Sequence, residues 1–213
     1  MSTDKVTLYH SPNTRSSAVL TLLEELGVPY DLQVLNTKIG EQSQPSYLAV
    51  NPMGKVPALK HGDAVVTEQV AIFIYLADLY PEAKLAPPLG DPLRGPYLRW
   101  LAYYSSSFEP AVVDRAMKRE TTPSTMCPYG DYDRMLKTLV DQLAKGRYIL
   151  GEGFSAADVL WGTALAWTTA WKLVPETPEI TTYLHRMGSR PATARVKAMD
   201  AEFAAAQAAG AKS

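Results

Sequence analysis

The sequence predicts a two-part chain, an α/β domain built on a mixed sheet followed by an all-α domain, and three observations lead there. The first 80 residues alternate strand-like runs with helical periodicity in the order β-α-β and then β-β-α. Pro81, Pro87, Pro88, Gly90, Pro92, Gly95 and Pro96 then interrupt all periodicity. Beyond them the apolar spacing is helical and no strand pattern returns, which assigns residues 1–81 to the first domain, 82–91 to a linker and 92–213 to the second.

Val6-Thr7-Leu8-Tyr9 reads as the first strand. Ser16 to Leu26 follows as a helix, because Val19, Leu22, Leu23 and Leu26 recur at the spacing of one helical face. Gly27 ends it and Pro29 bars its continuation. Tyr30 to Val34 reads as a second strand, then a polar stretch runs around Gly40 to Pro45. Ala58-Leu59-Lys60 and Ala64-Val65-Val66 form a hairpin about His61-Gly62-Asp63, and Thr67-Glu68-Gln69 opens a helix carrying Ile72, Leu76 and Leu79. This order is similar to a thioredoxin-like domain. In the second half helices are expected at Leu93 to Phe108 and onward past Arg119, at Tyr132 to Ala144, at Ala156 to Leu173, at Pro178 to Met187 and at Ala192 to Ala209, the last an alanine-rich tail prone to fray. Ser155 with Asp158 three residues on has the form of a capping box, a helix start rather than a catalytic pair.

Composition removes several function classes. With 21 basic and 22 acidic residues and a net charge of −1, the chain carries no electrostatic footprint for nucleic acid or an anionic membrane. Val159 to Trp171, the longest uncharged apolar stretch, is shorter than the roughly 20 residues of a membrane span, so a soluble protein is expected. No basic-then-apolar leader precedes the first strand, and the single cysteine, Cys127, allows no intrachain disulfide; both suit the cytoplasm.

The run Asn51-Pro52-Met53-Gly54-Lys55-Val56-Pro57 is the most informative in the chain. Pro57 removes a backbone donor and holds Val56 extended, and X-Pro is the peptide bond whose cis form is cheap. A tight Val56-Pro57 turn therefore offers the Val56 N–H and C=O to the backbone of a bound peptide, beside the start of a helix that attracts carboxylates. Asn51 and Gly54 read as residues that set the loop conformation.

This Asn-Pro-x-Gly-x-Val-Pro run, the Glu68-Gln69 that follows, and Leu8-Tyr9-His10-Ser11-Pro12-Asn13-Thr14-Arg15-Ser16-Ser17 together resemble the cytosolic glutathione S-transferases. The resemblance spans the chain, is most specific over residues 5 to 80, and includes Gly153-Phe154-Ser155-Ala156-Ala157-Asp158. It departs at Gln69, where the family usually has Ser; Gln69 still offers a backbone N–H and an amide to a carboxylate.

The resemblance implies glutathione as co-substrate, no metal, a hydroxyl between first strand and first helix that stabilises the thiolate, and a homodimer. Counting back from Glu24-Glu25-Leu26-Gly27 puts Thr14 at the activating position; counting from the end of the first strand favours Ser11, with Asn13 as a helping amide donor. Turn chemistry and helix capping alone also account for Ser, Asn and Thr beside Pro12, and Tyr9 inside the strand reads as core. Glu68 and Gln69 would hold the γ-glutamyl end, Val56 with Pro57 would pair with the cysteinyl backbone, and Lys55 would reach the glycyl carboxylate. A hydrophobic electrophile would lie against Tyr103, Tyr104, Phe108, Arg115, Trp167 and Trp171 of the helical domain, with Arg119 nearby for an anionic one. Addition or substitution on an electrophile, a detoxifying reaction, is the leading expectation. Reduction of a peroxide or mixed disulfide by glutathione is a second, and a non-catalytic interaction module is a third.

Overall fold

The computed structural model describes residues 5–119 and 123–210. Two compact units emerge among them, one of the residues up to Ala83 together with those from Arg190 onward, the other running from Lys84 to Ser189. The last helix thus packs as part of the α/β unit, although it belongs in sequence to the expected 92–213 helical domain.

The first unit is thioredoxin-like. It contains β1 (Val6–His10), α1 (Ser16–Leu26), β2 (Tyr30–Val34), α2 (Pro45–Leu48), β3 (Ala58–His61), β4 (Ala64–Thr67), α3 (Gln69–Leu79) and, from the end of the chain, the last helix (Pro191–Gly210). The sheet order is β2-β1-β3-β4, with β1 parallel to β2 and antiparallel to β3. As an inner strand β1 is covered on the face carrying Val6, Leu8 and His10, all three 0% exposed, while Thr7 and Tyr9 lie on the other face. Tyr9 meets Tyr47 of α2, ring centroids 5.6 Å apart. Helix α1 buries the predicted stripe of Val19, Leu22, Leu23 and Leu26. It stops at Gly27, whose φ of 67° lets its N–H close on the Leu23 carbonyl at 3.1 Å. The β3–β4 hairpin turns on Gly62-Asp63, one residue tighter than expected, with Gly62 at φ 57°.

In the second unit α4 (Arg94–Tyr103) passes through one π-helical turn (Tyr104–Phe108) into α5 (Glu109–Ala116), followed by α6 (Tyr132–Leu143), α7 (Ala156–Ala170) and α8 (Pro178–Gly188). The C-terminal helix Pro191–Gly210 is α9. Trp161 of α7 sits at the centre of the second unit, fully buried, its indole N–H donating to the Trp100 carbonyl at 3.1 Å. Around it stand the rings of Trp100, Tyr104 and Phe108 at 5.0–5.9 Å, all tilted edge-on. The expected helix onward past Arg119 ends instead at Ala116, capped by Met117, and Lys118 takes φ 51°; Glu120, Thr121 and Thr122 lie outside the described residues. The Ser155–Asp158 capping box forms as expected. Helix α9 runs unbroken through the alanines to Gly210.

Candidate functional site

Strand register brings three sequence-predicted segments together. Tyr9 of β1 pairs with Ala58 of β3, and Ala58 pairs with Thr67 of β4. Ser11 to Arg15 leaves that end of β1, Val56-Pro57 enters β3 there, and Glu68-Gln69 leaves β4 there. The Gln69 side-chain amide then donates to the Arg15 carbonyl at 2.9 Å, tying the start of α3 to the start of α1.

The Val56-Pro57 peptide is cis. Its approach is fixed from below: the Lys55 carbonyl accepts hydrogen bonds from both the Tyr47 hydroxyl and the Asn51 amide, the latter at 2.8 Å. The buried Asn51 also accepts from the Met53 N–H at 3.1 Å. Gly54 stands at φ 61°, where a side chain is strained, and a Cβ there would come within 3.1 Å of the Gln42 carbonyl oxygen, which favours glycine. Among the described residues the Val56 N–H and C=O have no partner. Two side-chain oxygens are likewise buried without one, those of Gln42 and Gln69. Glu68 is exposed and held at φ 66°, a conformation uncommon for a residue with a Cβ. Lys55 is exposed.

The β1–α1 loop is a web of short hydrogen bonds. Ser11 is 1% exposed and its hydroxyl pairs with that of Thr37 at 3.0 Å. Thr14 is partly exposed; its hydroxyl donates to the Ser11 carbonyl at 2.7 Å and lies 2.7 Å from the Ser16 hydroxyl. Asn13 is exposed, with φ 57°, and its N–H donates to Asp200 Oδ2 at 3.1 Å.

Sequence reasoning missed His10, Ser16 and Asp200. His10 is fully buried; its Nε2 lies 2.9 Å from Asp200 Oδ1 and its Nδ1 lies 2.8 Å from the Ser16 hydroxyl. Asp200 also accepts the Ser17 hydroxyl proton at 2.6 Å. Burial raises the Asp200 carboxyl, but hydrogen bonds from His10, Ser17 and the Asn13 N–H bring it below the ordinary carboxylate range. A signal was available for each. His10 continues the Val6, Leu8 alternation onto the covered face, and Asp200 continues Ala192 and Val196 at helical spacing along the buried stripe of α9.

The residues expected around the electrophile divide. Tyr104 and Phe108 are core, 2% and 0% exposed, packed on Trp161. Tyr103 is half-buried and donates its hydroxyl to the Met135 carbonyl at 3.0 Å. Arg115 lies over the Tyr132 ring at 4.1 Å, and Arg119 pairs with Asp114 at 3.0 Å. Trp167 and Trp171 form an edge-on pair 5.9 Å apart, with Trp171 exposed. Among the described residues no group of three His, Cys, Asp or Glu side chains could hold a metal ion, and no helix is long and apolar enough to cross a membrane.

Comparison with known proteins places the chain in a family. Residues 4–78 match the glutathione S-transferase N-terminal domain family and residues 129–186 a glutathione S-transferase C-terminal domain family. The glutathione S-transferase GstA of Escherichia coli O157:H7 is 32% identical over 189 residues, covering 86% of this chain and 93% of that protein. A crystal structure of a glutathione transferase from Methylococcus capsulatus superposes with a TM-score of 0.77 at 32% identity, over 92% of this chain and 98% of the other. A glutathione transferase homologue from Sulfitobacter, solved with bound glutathione, gives 0.71 at 30% identity over the same shares of the two chains.

Proposed function

Because the chain belongs to the glutathione S-transferase family, we propose that it binds glutathione where β1, β3 and β4 end together and transfers its thiolate to a hydrophobic electrophile. The observation that carries this is the Val56 backbone: an N–H and a C=O without partners among the described residues, presented by a loop that Tyr47 and Asn51 hold through Lys55. Such an edge pairs with a peptide backbone, and glutathione is a short peptide. The cysteinyl residue then pairs with Val56 against Pro57. The γ-glutamyl carboxylate takes the Gln69 N–H at the start of α3, its ammonium takes the exposed Glu68, and Lys55 reaches the glycyl carboxylate.

Thr14 is the activating hydroxyl in this reading. Ser11 is buried and already paired with Thr37, whereas Thr14 is partly exposed at the mouth of the loop; Asn13 assists from beside it. A free thiol ionises near 8.5, and lowering that by about two units takes about 2.7 kcal/mol. One hydrogen bond to the charged sulfur, about 1.5–3 kcal/mol, with about 0.3–1 kcal/mol from the N-terminus of α1, is enough without a metal. The electrophile is assigned to aromatic surface of the second unit, with Trp167 and Trp171, Tyr103 and Arg115 as its candidate residues. A cytoplasmic homodimer with a detoxifying role belongs to the same reading, on the family relationship and the single cysteine.

Calorimetry with glutathione, with thiolate absorbance followed against pH, tests it on the parent, Thr14→Val and Ser11→Ala. The parent binds and lowers the thiol pKa; Thr14→Val binds but loses the shift of about two units. Loss in Ser11→Ala alone reassigns the donor. Absence of binding at millimolar glutathione sinks every glutathione-dependent reading.

A further inference from the structure

A continuous buried chain of hydrogen bonds leads inward from the Thr14 hydroxyl: 2.7 Å to Ser16 Oγ, 2.8 Å from there to His10 Nδ1, and 2.9 Å from His10 Nε2 to Asp200 Oδ1. Only its Thr14 end is partly exposed; Ser16 and His10 are 0% exposed and Asp200 5%. The middle of helix α9 delivers the carboxylate to a hydrogen-bonded line whose histidine ends the first strand.

We propose that His10, paired with Asp200, takes up the proton of a thiol bound at Thr14, through the Thr14 and Ser16 hydroxyls. In the step the S–H bond breaks and its electron pair stays on sulfur. The Thr14 oxygen accepts that proton and passes its own to Ser16 Oγ, and Ser16 passes its own to His10 Nδ1. The products are a thiolate receiving a hydrogen bond from Thr14 and an imidazolium donating to Ser16 and Asp200. Only hydroxyl hydrogens rotate, from the Ser11 carbonyl, which both hydroxyls reach at 2.7 and 3.1 Å, into the line of the relay. The Ser11 N–H donates to Ser16 Oγ at 3.0 Å and keeps that oxygen in place.

The surroundings leave Asp200 as the charge that meets the imidazolium. From α9 the Phe203 ring, an uncharged neighbour, stands edge-on to His10 at 6.0 Å. From α1 the groups on His10 and Asp200 are the hydroxyls of Ser16 and Ser17. The ionic groups further along the α1–α9 seam pair with one another, Glu25 with Arg190 and Glu24 with Arg195, each at 2.6 Å. His10 and Asp200 act through Thr14 and touch no substrate, so they are positioning residues with a proton to hold.

This inference rests on the glutathione reading above, and one experiment separates the two. Glutathione is titrated near neutral pH in buffers of different ionisation enthalpy, which counts protons released, while absorbance counts thiolate formed; S-methylglutathione corrects for the ligand's other groups. The relay predicts that the parent forms thiolate with almost no proton released, and that His10→Gln releases one proton for each thiolate it still forms. Should His10→Gln fold poorly, Asp200→Asn is expected to move the same balance in the same direction. One proton released per thiolate in the parent overturns the relay and leaves the transferase reading standing, as does retention of the proton in both variants. No thiolate in the parent overturns both.

Discussion

Two buried aspartates organise the two units, and they do so from opposite ends of sequence distance. Asp158 caps its own helix: it accepts the Ser155 N–H and hydroxyl, each at 2.9 Å, then the Ile149 N–H at 2.7 Å and the Tyr183 hydroxyl at 2.9 Å. Asp200 performs a similar service for α1 from 183 to 190 positions away, taking the Ser17 hydroxyl, the Asn13 N–H and His10. Helix α1 has no side-chain cap at its N-cap residue; its first N–H groups are met by Thr14 and Arg15, and Asp200 instead fastens the preceding loop and first turn through the Asn13 N–H and the Ser17 hydroxyl. Their burial differs in degree, and the sign of the electrostatics follows. Full burial raises Asp158 above the ordinary carboxylate range despite its hydrogen bonds. In Asp200 burial raises too, but the bonds from His10, Ser17 and Asn13 win and the carboxyl falls below that range. Two buried carboxyls thus shift in opposite directions according to whether burial or the hydrogen bonds to the charged form dominate.

The comparison breaks most visibly at Asp158. Asp158→Ala removes a cap and leaves the Ile149 and Ser155 N–H groups without their acceptor, while the Tyr183 hydroxyl keeps only the residue 158 carbonyl at 3.3 Å, an expected loss on the order of 3–5 kcal/mol. All four tryptophans, at 100, 161, 167 and 171, lie in the second unit, so urea denaturation followed by tryptophan fluorescence reads this loss directly. A loss below about 1 kcal/mol would show that water takes over the orphaned donors.

Asp200→Asn is milder, about 1–2 kcal/mol at neutral pH, because an amide keeps the shape and part of the bonding. Amide exchange in α1 is the suitable probe, since the first unit holds no tryptophan. Here pH sharpens the contrast. The folded Asp200 pKa lies below the unfolded value, near 3.8, so its contribution is present above that value and is lost as pH falls through the lower folded one. The parent's advantage over Asp200→Asn therefore closes in acid. For Asp158 the shift is upward, so its contribution is full below 3.8 and declines as pH rises through the folded pKa.

Arg195→Ala gives the smallest effect, within about 0.5 kcal/mol, although Arg195 and Glu24 bridge α9 and α1 at 2.6 Å. The arginine is half exposed, and ordering two long side chains offsets most of the Coulomb gain. A larger loss at low salt that vanishes at high salt would mean the ion pair, rather than Asp200, fastens α9.

What the sequence disclosed tracks the same divide between local and distant. The α1 stripe, the hairpin, the start of α3 and the Ser155–Asp158 box are written within a few residues of one another, and each was legible. The Val56-Pro57 turn and the polar loop after β1 were legible as local patterns too, and the strand register brings them to one end of the sheet. The His10–Asp200 pair was not, since nothing in either neighbourhood names the other; only the inward register of each hinted at a buried polar partner. Helix α5 was overextended because its polar residues after Ala116 keep a helical composition while the backbone turns at Lys118. Spacing alone does not tell a core aromatic from one that lines a pocket, and Tyr104 and Phe108 prove to be core, packed on Trp161.

The doubly bonded Lys55 carbonyl has a thermodynamic corollary. A loop already immobilised by Tyr47, Asn51 and the glycine at 54 has little freedom left to surrender. A peptide pairing with Val56 is then charged mainly for its own ordering, so its association is governed by the ligand's flexibility, and a ligand stiffened at its cysteinyl residue gains affinity that a mobile loop would have absorbed.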